Sequence, residues 1–213
     1  PAFLEDQAAL IAALADLYQA TFDPRWLAEA VRLADLMLQD FADPGGGFFN
    51  TTAEHRDLIV RPKNAQDGST PSGTSLAAWA LLRLGRLTGR SDLEAAAEKT
   101  LRAYQAMLER APGAFHQMLL AVDLFAGPRQ EIVIAGPRED GATQALLRTV
   151  RSSFLPHSVV LWTDGSGARS GGVAPLAEGK TTIDGRPAAY VCRDFACEAP
   201  VTEVEELERR LRG

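Results

Sequence analysis

The chain has 213 residues and a formal charge of −6, with 46% hydrophobic and 23% charged residues. That composition is ordinary for a globular protein and supplies enough apolar mass for one large domain or two small ones. It carries no basic footprint for a nucleic-acid partner, and no apolar run approaches the ~20 residues of a membrane span.

Opening at Pro1 without an initiator Met or a signal peptide, the chain reads as a piece of a longer protein. Leu4, Ala8, Ile11, Leu14, Leu17 and Tyr18 fall on one helical stripe and predict a helix over 3–18. Thr21-Phe22-Asp23-Pro24 stops it, with Asp23 as the cap of a second helix over 25–41 and Pro24 at its first position. Leu27, Ala30, Val31, Ala34 and Leu38 give that helix its apolar face, and the two helices read as an antiparallel hairpin.

The stretch 45–75 is the longest interruption. It holds Gly45-Gly46-Gly47, Pro62, Pro71 and a dense set of polar side chains, and is too long for a simple helix connection. Such loops are binding or catalytic loops or are disordered, and Phe48, Phe49, Leu58, Ile59 and Val60 are expected to anchor this one. The helical pattern returns over 74–87 and 92–109, with Thr88-Gly89-Arg90-Ser91 as the turn. A shift of about 67 positions aligns Leu14 with Leu81, Leu17 with Leu84, Thr21 with Thr88 and Ala30 with Ala97, which is an internal repeat. A further helix is expected over 112–125. Repeated helix pairs stack into a solenoid or a closed α/α toroid. Those present are too few to close a ring, so the open face is a candidate homodimer surface.

Near Gly127-Pro128 the character changes. EIVIA (131–135) reads as a buried strand, 140–154 as a helix and SVVLWT (158–163) as a second strand. Strand, helix and strand over so short a span make a βαβ unit with parallel strands. AAYVC (188–192) is a third strand, and 202–211 a helix with Thr202 and Glu205 spaced as a capping box. Its Arg-rich end, Arg209-Arg210-Leu211-Arg212, complements the helix dipole. The expected domains are 1–127, of α/α hairpins, and 128–213, a small α/β subdomain.

Several residues are candidates for chemistry. Glu5 and Asp6 are favoured by the dipole at the start of the first helix, and the same position suits an acid or base toward a sugar. Arg61 and Lys63 suit a carboxylate, a phosphate or sugar hydroxyls, while Asp67 suits a general base or an orienting group. Ser72 is a ligand-binding candidate, with helix capping as its simpler role. Trp26, Trp79, Phe48 and Phe49 are stacking or packing aromatics. His55, His116 and His157 show no metal-ligand spacing, and neither a metal nor a cofactor is expected. Cys192 and Cys197, separated by Arg193-Asp194-Phe195-Ala196, do not have the redox CxxC spacing. They read as buried structural cysteines or thiols in a reduced, cytoplasmic setting, and Arg193 is placed to favour thiolate.

The runs LEDQAALIAALADLYQATFDPRWL, GGGFF, IVRPKNAQDGSTPSGTS and AYVCRDFACEAPV resemble the YyaL-type, thioredoxin-domain-containing family (spermatogenesis-associated protein 20-like), in its C-terminal half. The resemblance implies an upstream thioredoxin-like domain and an (α/α)6 toroid like that of N-acylglucosamine 2-epimerases and six-hairpin glycosidases. This chain would then be mainly α, part of that toroid, followed by a βαβ-containing C-terminal unit. Glu5, Asp6, Arg61, Pro62, Lys63, Asp67, Ser72, Gly73, Cys192 and Cys197 fall on the family's motif positions. The resemblance assigns no activity, and the histidine pair of related epimerases is missing. Two functions are expected from it: binding or processing of a carbohydrate-like ligand, or a non-catalytic interaction scaffold for the thioredoxin-like redox or chaperone domain.

Overall fold

The computed structural model describes residues 3–55, 58–167, 174–194 and 196–212. Among them are seven α-helices and a four-stranded mixed sheet. The chain divides into two compact units, Pro1–Arg86 with Arg90–Ala126, and Leu87–Gly89 with Gly127–Gly213.

The first unit is helical. α1 (Leu4–Thr21) and α2 (Pro24–Phe41) form the expected hairpin, with Leu4, Ala8, Ile11, Leu27, Ala30 and Met37 buried. Burying such a leucine, isoleucine or methionine completely contributes about 1.5–3 kcal/mol. Asp23 accepts from the Arg25 backbone N–H at 3.0 Å, and Pro24 needs no acceptor, so the capping signal acts as its residue types dictate. Between the helices Phe22 takes a left-handed conformation (φ 54°), and its ring packs edge-on against Tyr18 at 6.1 Å.

α3 (Gly73–Thr88) and α4 (Ser91–Arg110) are the second pair. α3 begins hard against α1: a Cβ on Gly73 would lie 2.9 Å from the Glu5 backbone nitrogen and 3.0 Å from Leu4. Only glycine allows that approach. The helix expected over 112–125 is instead a single 3-10 turn, Pro112–Ala114, followed by α5 (His116–Ala126). Phe115 separates them in a non-helical conformation (φ −141°) with its ring buried.

In the second unit β1 (Gln130–Ala135), α6 (Gly141–Ser152) and β2 (Ser158–Thr163) make the βαβ element, with β1 and β2 parallel. Asp140 caps α6 by accepting from Ala142 and Thr143. β3 (Ala188–Arg193) runs antiparallel on the other side of β1, and β4 (Ala196–Cys197) pairs with β3, giving the order β2-β1-β3-β4. The central β1 is buried along its whole length, which explains its unbroken apolar run, while β2 at the edge alternates. Gln130 and Glu131 are the polar exceptions within β1: the Gln130 side-chain oxygen accepts from the Ser158 hydroxyl, and the buried Glu131 carboxylate pairs with Arg129. The last helix, α7 (Val204–Arg212), starts after the expected cap. Thr202 forms no capping box, and its hydroxyl accepts from Arg186 at 2.7 Å instead.

Among the described residues no helix is long and apolar enough to cross a membrane.

Candidate ligand-binding cleft

A chain of specific bonds ties the described residues of the connection between α2 and α3. It opens with a tight turn in which Gly45 donates to the Asp43 carboxylate at 2.7 Å and Gly46 to the Asp43 carbonyl at 2.9 Å. Gly46 (φ 100°) and Gly47 (φ 77°) lie in the left-handed region, pressed onto α4. From there Asn50 accepts the Leu4 backbone N–H at 3.0 Å, and Phe3 bridges to Thr51. The start of α1 is therefore stitched directly to the loop.

The polar residues singled out in the sequence are largely the braces of this loop. Arg61 donates to the carbonyls of Thr51 (3.1 Å) and Asp40 (2.9 Å), and its guanidinium lies 4.1 Å from the centre of the Phe49 ring. Lys63 binds the Asp43 carboxylate at 2.6 Å and the Gly46 carbonyl at 2.9 Å. The Lys63 hydrogen bond, helped by the Gly45 N–H, holds the Asp43 carboxyl below its ordinary range. Asp67 accepts from the backbone N–H of Ser72 and of Gln117, each at 2.8 Å, so both carboxylate oxygens are engaged. Ser72 caps α3 through the Ser75 N–H (3.1 Å) and donates to the Ala65 carbonyl (3.0 Å).

Above this frame lies a cleft of about 470 Å³. Phe3, Glu5, Asn50, Thr51, His55 and Asn64 supply its side-chain chemistry, with Ser72 and Gly73 at the start of α3. Glu5 is exposed in the first turn of α1, where the helix dipole favours a carboxylate. Thr51 is 4% exposed, and its hydroxyl, like those of Thr52 and Thr74, has no hydrogen-bond partner among the described residues. A buried hydroxyl without a partner costs about 1–3 kcal/mol of stability. Asn50 and Asn64 spend their side-chain oxygens on the backbone N–H groups of Asn64 and Gln66, which leaves their amide NH2 groups as donors. Phe3 and His55 form an aromatic wall with ring centres 5.5 Å apart.

Of the residues expected from sequence, the cleft brings together Glu5 and Ser72. Asp6, Arg61, Lys63 and Asp67 do not line it. Nor do the other expected aromatics: Phe48 is in the core, Phe49 lies under Arg61, Trp79 under Arg83 and Trp26 beside Arg25. No periodic pattern signals Phe3, Asn50, Thr51 and Asn64: Phe3 meets Thr51 through an isolated bridge, and Asn50 accepts the Asn64 backbone N–H. Leu58, Ile59 and Val60, expected as anchors of the loop, are exposed, Ile59 completely, and the polar bonds of Arg61, Lys63 and Asp67 take their place.

Cys192 and Cys197, expected as buried structural cysteines or as thiols in a reduced setting, are instead joined in a disulfide. They stand opposite each other in the β3–β4 register, a juxtaposition created by the hairpin turn at Asp194 (φ 47°) and invisible as a spacing motif. Among the described residues no three His, Cys, Asp or Glu side chains gather as a metal site.

No family model matches the chain. It is 35% identical over 212 residues, 98% of its length, to spermatogenesis-associated protein 20 of Homo sapiens, and 34% identical over the same span to the Mus musculus protein of that name. An uncharacterized protein of Caenorhabditis elegans is 29% identical over 210 residues. The chain spans only 27% of the mammalian proteins' length and 28% of the nematode protein's, so these similarities describe one segment of larger molecules.

Proposed function

We propose that the first unit binds a small carbohydrate-like ligand in the cleft at the start of α1, within an α/α toroid to which its two helix pairs contribute. A cleft that sets the Glu5 carboxylate and the amide donors of Asn50 and Asn64 beside the Phe3–His55 rings carries this reading. Carboxylate, amide and hydroxyl groups set beside an aromatic ring match the alternating polar edges and apolar faces of a sugar. Glu5 is the only carboxylate among the described lining residues, which show no glycosidase-like carboxylate pair. Binding needs only the groups the cleft presents and is the reading proposed.

The test is a calorimetric titration with mono- and oligosaccharides and sugar phosphates, on the full chain and on Glu5→Gln and Thr51→Val. A saturable isotherm weakened about tenfold or more by each substitution supports the reading, since losing a charged hydrogen bond costs about 1.5–3 kcal/mol. A panel without heat or saturation, or binding indifferent to both substitutions, rejects it. The exposed Leu58-Ile59-Val60 run favours a second reading, in which the helix pairs are an interaction scaffold for a thioredoxin-like domain.

A further inference from the structure

We propose that the Cys192–Cys197 pair is a thiol–disulfide exchange site, with Cys197 as the sulfur that exchanges and Cys192 as the resolving thiol. The two sulfurs are unequal. Cys192 lies on β3 and is 5% exposed, whereas Cys197, on the two-residue strand β4, is exposed. An incoming thiolate therefore reaches Cys197 first.

Charge makes the same distinction. The Lys180 ammonium donates to Cys197 Sγ at 3.2 Å and is held over the Tyr190 ring at 4.9 Å. A fixed cation beside a sulfur stabilises its thiolate, and an accessible cysteine in such surroundings is the reactive one. Arg193, the cation expected from sequence in this role, is turned to other work: it pairs with Glu198 at 3.1 Å.

A purely structural role explains the disulfide poorly. With a sequence separation of 5 it closes one of the shortest possible loops, where a cross-link removes little freedom from the unfolded chain. The hairpin has other ties as well. Glu198 donates its backbone N–H to the Val191 carbonyl at 3.1 Å, and its carboxylate is clamped by Arg193 and by Arg210 at 2.8 Å. Exposed disulfides are the labile ones, and this hairpin keeps its frame when the bond opens.

The exchange balances with a dithiol as reductant. Its thiolate attacks Cys197 Sγ, forming a mixed disulfide as the Cys192–Cys197 bond breaks and Cys192 leaves with the electron pair. The reductant's second thiol gives up its proton, which protonates Cys192, and closes on its own bound sulfur. Cys197 departs as a thiolate beside Lys180. Two electrons pass to the protein, and the dithiol leaves as a cyclic disulfide. In reverse, the Cys197 thiolate attacks a small-molecule or protein disulfide, and Cys192 resolves the intermediate.

Dithiothreitol tests the first direction in the full chain, with alkylation and peptide mass spectrometry counting thiols while circular dichroism follows the fold. Full reduction with an unchanged spectrum is expected, and full reoxidation by oxidised glutathione. For the reverse direction, Cys192→Ser and Cys197→Ser are mixed with an aromatic disulfide at neutral pH. Cys197 in the first variant should react at least about tenfold faster than Cys192 in the second, and adding Lys180→Met to the first should slow it several-fold. A bond that yields to dithiothreitol only as the chain unfolds, or equal rates at the two cysteines, overturns the proposal. An unchanged rate with Lys180→Met removes Lys180 from it.

Discussion

The Asp67 carboxylate and the Gln117 backbone N–H, fifty positions apart, meet at 2.8 Å and fasten the loop to the first turn of α5. The other carboxylate oxygen takes the Ser72 N–H, one residue before α3, so a single side chain serves two helix starts. Asp67→Ala should cost about 2 kcal/mol or more, because two part-buried donors lose their acceptor, and Asp67→Asn about half that. Urea unfolding measures both. Loss of ligand binding in an Asp67 variant would therefore report a loosened loop, which is why Glu5 and Thr51 are the sounder probes of the cleft.

Gly46→Ala should be more damaging than its small size suggests. The position has φ 100°, and the new methyl would stand 3.0 Å from the Lys99 carbonyl and 2.8 Å from the Ala103 methyl. Strain and overlap together should cost about 2 kcal/mol or more. Gly68→Ala, where nothing lies within 4 Å and φ is not positive, is the control with little expected effect. Thermal unfolding of the two variants side by side decides it.

Burial pushes the Tyr18 hydroxyl from 10.0 up to about 12. The folded state therefore resists ionisation that the unfolded chain permits. The stabilisation is complete below pH 10 and is lost as the pH rises toward about 12. Stability should fall by ~1.4 kcal/mol per pH unit across that window. Tyr18→Phe should remove this contribution to the alkaline slope, as measured by denaturant unfolding between the two pH values.

Asp43 has the opposite sign. Its hydrogen bonds from Lys63 and Gly45 lower its folded pKa below the ordinary 3.8, so its contribution is present above that value and disappears as the pH falls through the folded pKa. Asp43→Asn should flatten the acid limb of the stability profile, and Lys63→Met should move the Asp43 titration upward. Carboxylate titration by NMR reads both.

Much of the helical architecture could be read from the chain because its signals are local: a 3.6-residue apolar period, Asp23 before Pro24, Asp140 before α6. The repeat has a physical counterpart in the ion pair between Asp16 of α1 and Arg83 of α3, which spans 67 residues, the same offset that aligns the apolar positions. Elsewhere the deciding interactions were distant. Thr202 has the spacing of a cap, but Arg186 offered its hydroxyl another partner. The disulfide depends on strand register, and β4 is too short to announce itself. The cleft depends on Phe3 meeting Thr51, a contact that neither neighbourhood encodes alone. Arg61, Lys63 and Asp67 have the side chains of reactive groups, yet the same capacity to make several directional bonds suits them to bracing a long loop.

That bracing has a thermodynamic consequence for any guest. Because the carbonyls of Thr51 and Ala65 and the turn at Asp43 are already tied by side chains, the walls beside Thr51 need little ordering when the cleft fills. Association would then forfeit the motional freedom of the guest far more than that of the host. Its heat capacity change should accordingly be small, set by the surface covered in the cleft rather than by the folding of a loop around it.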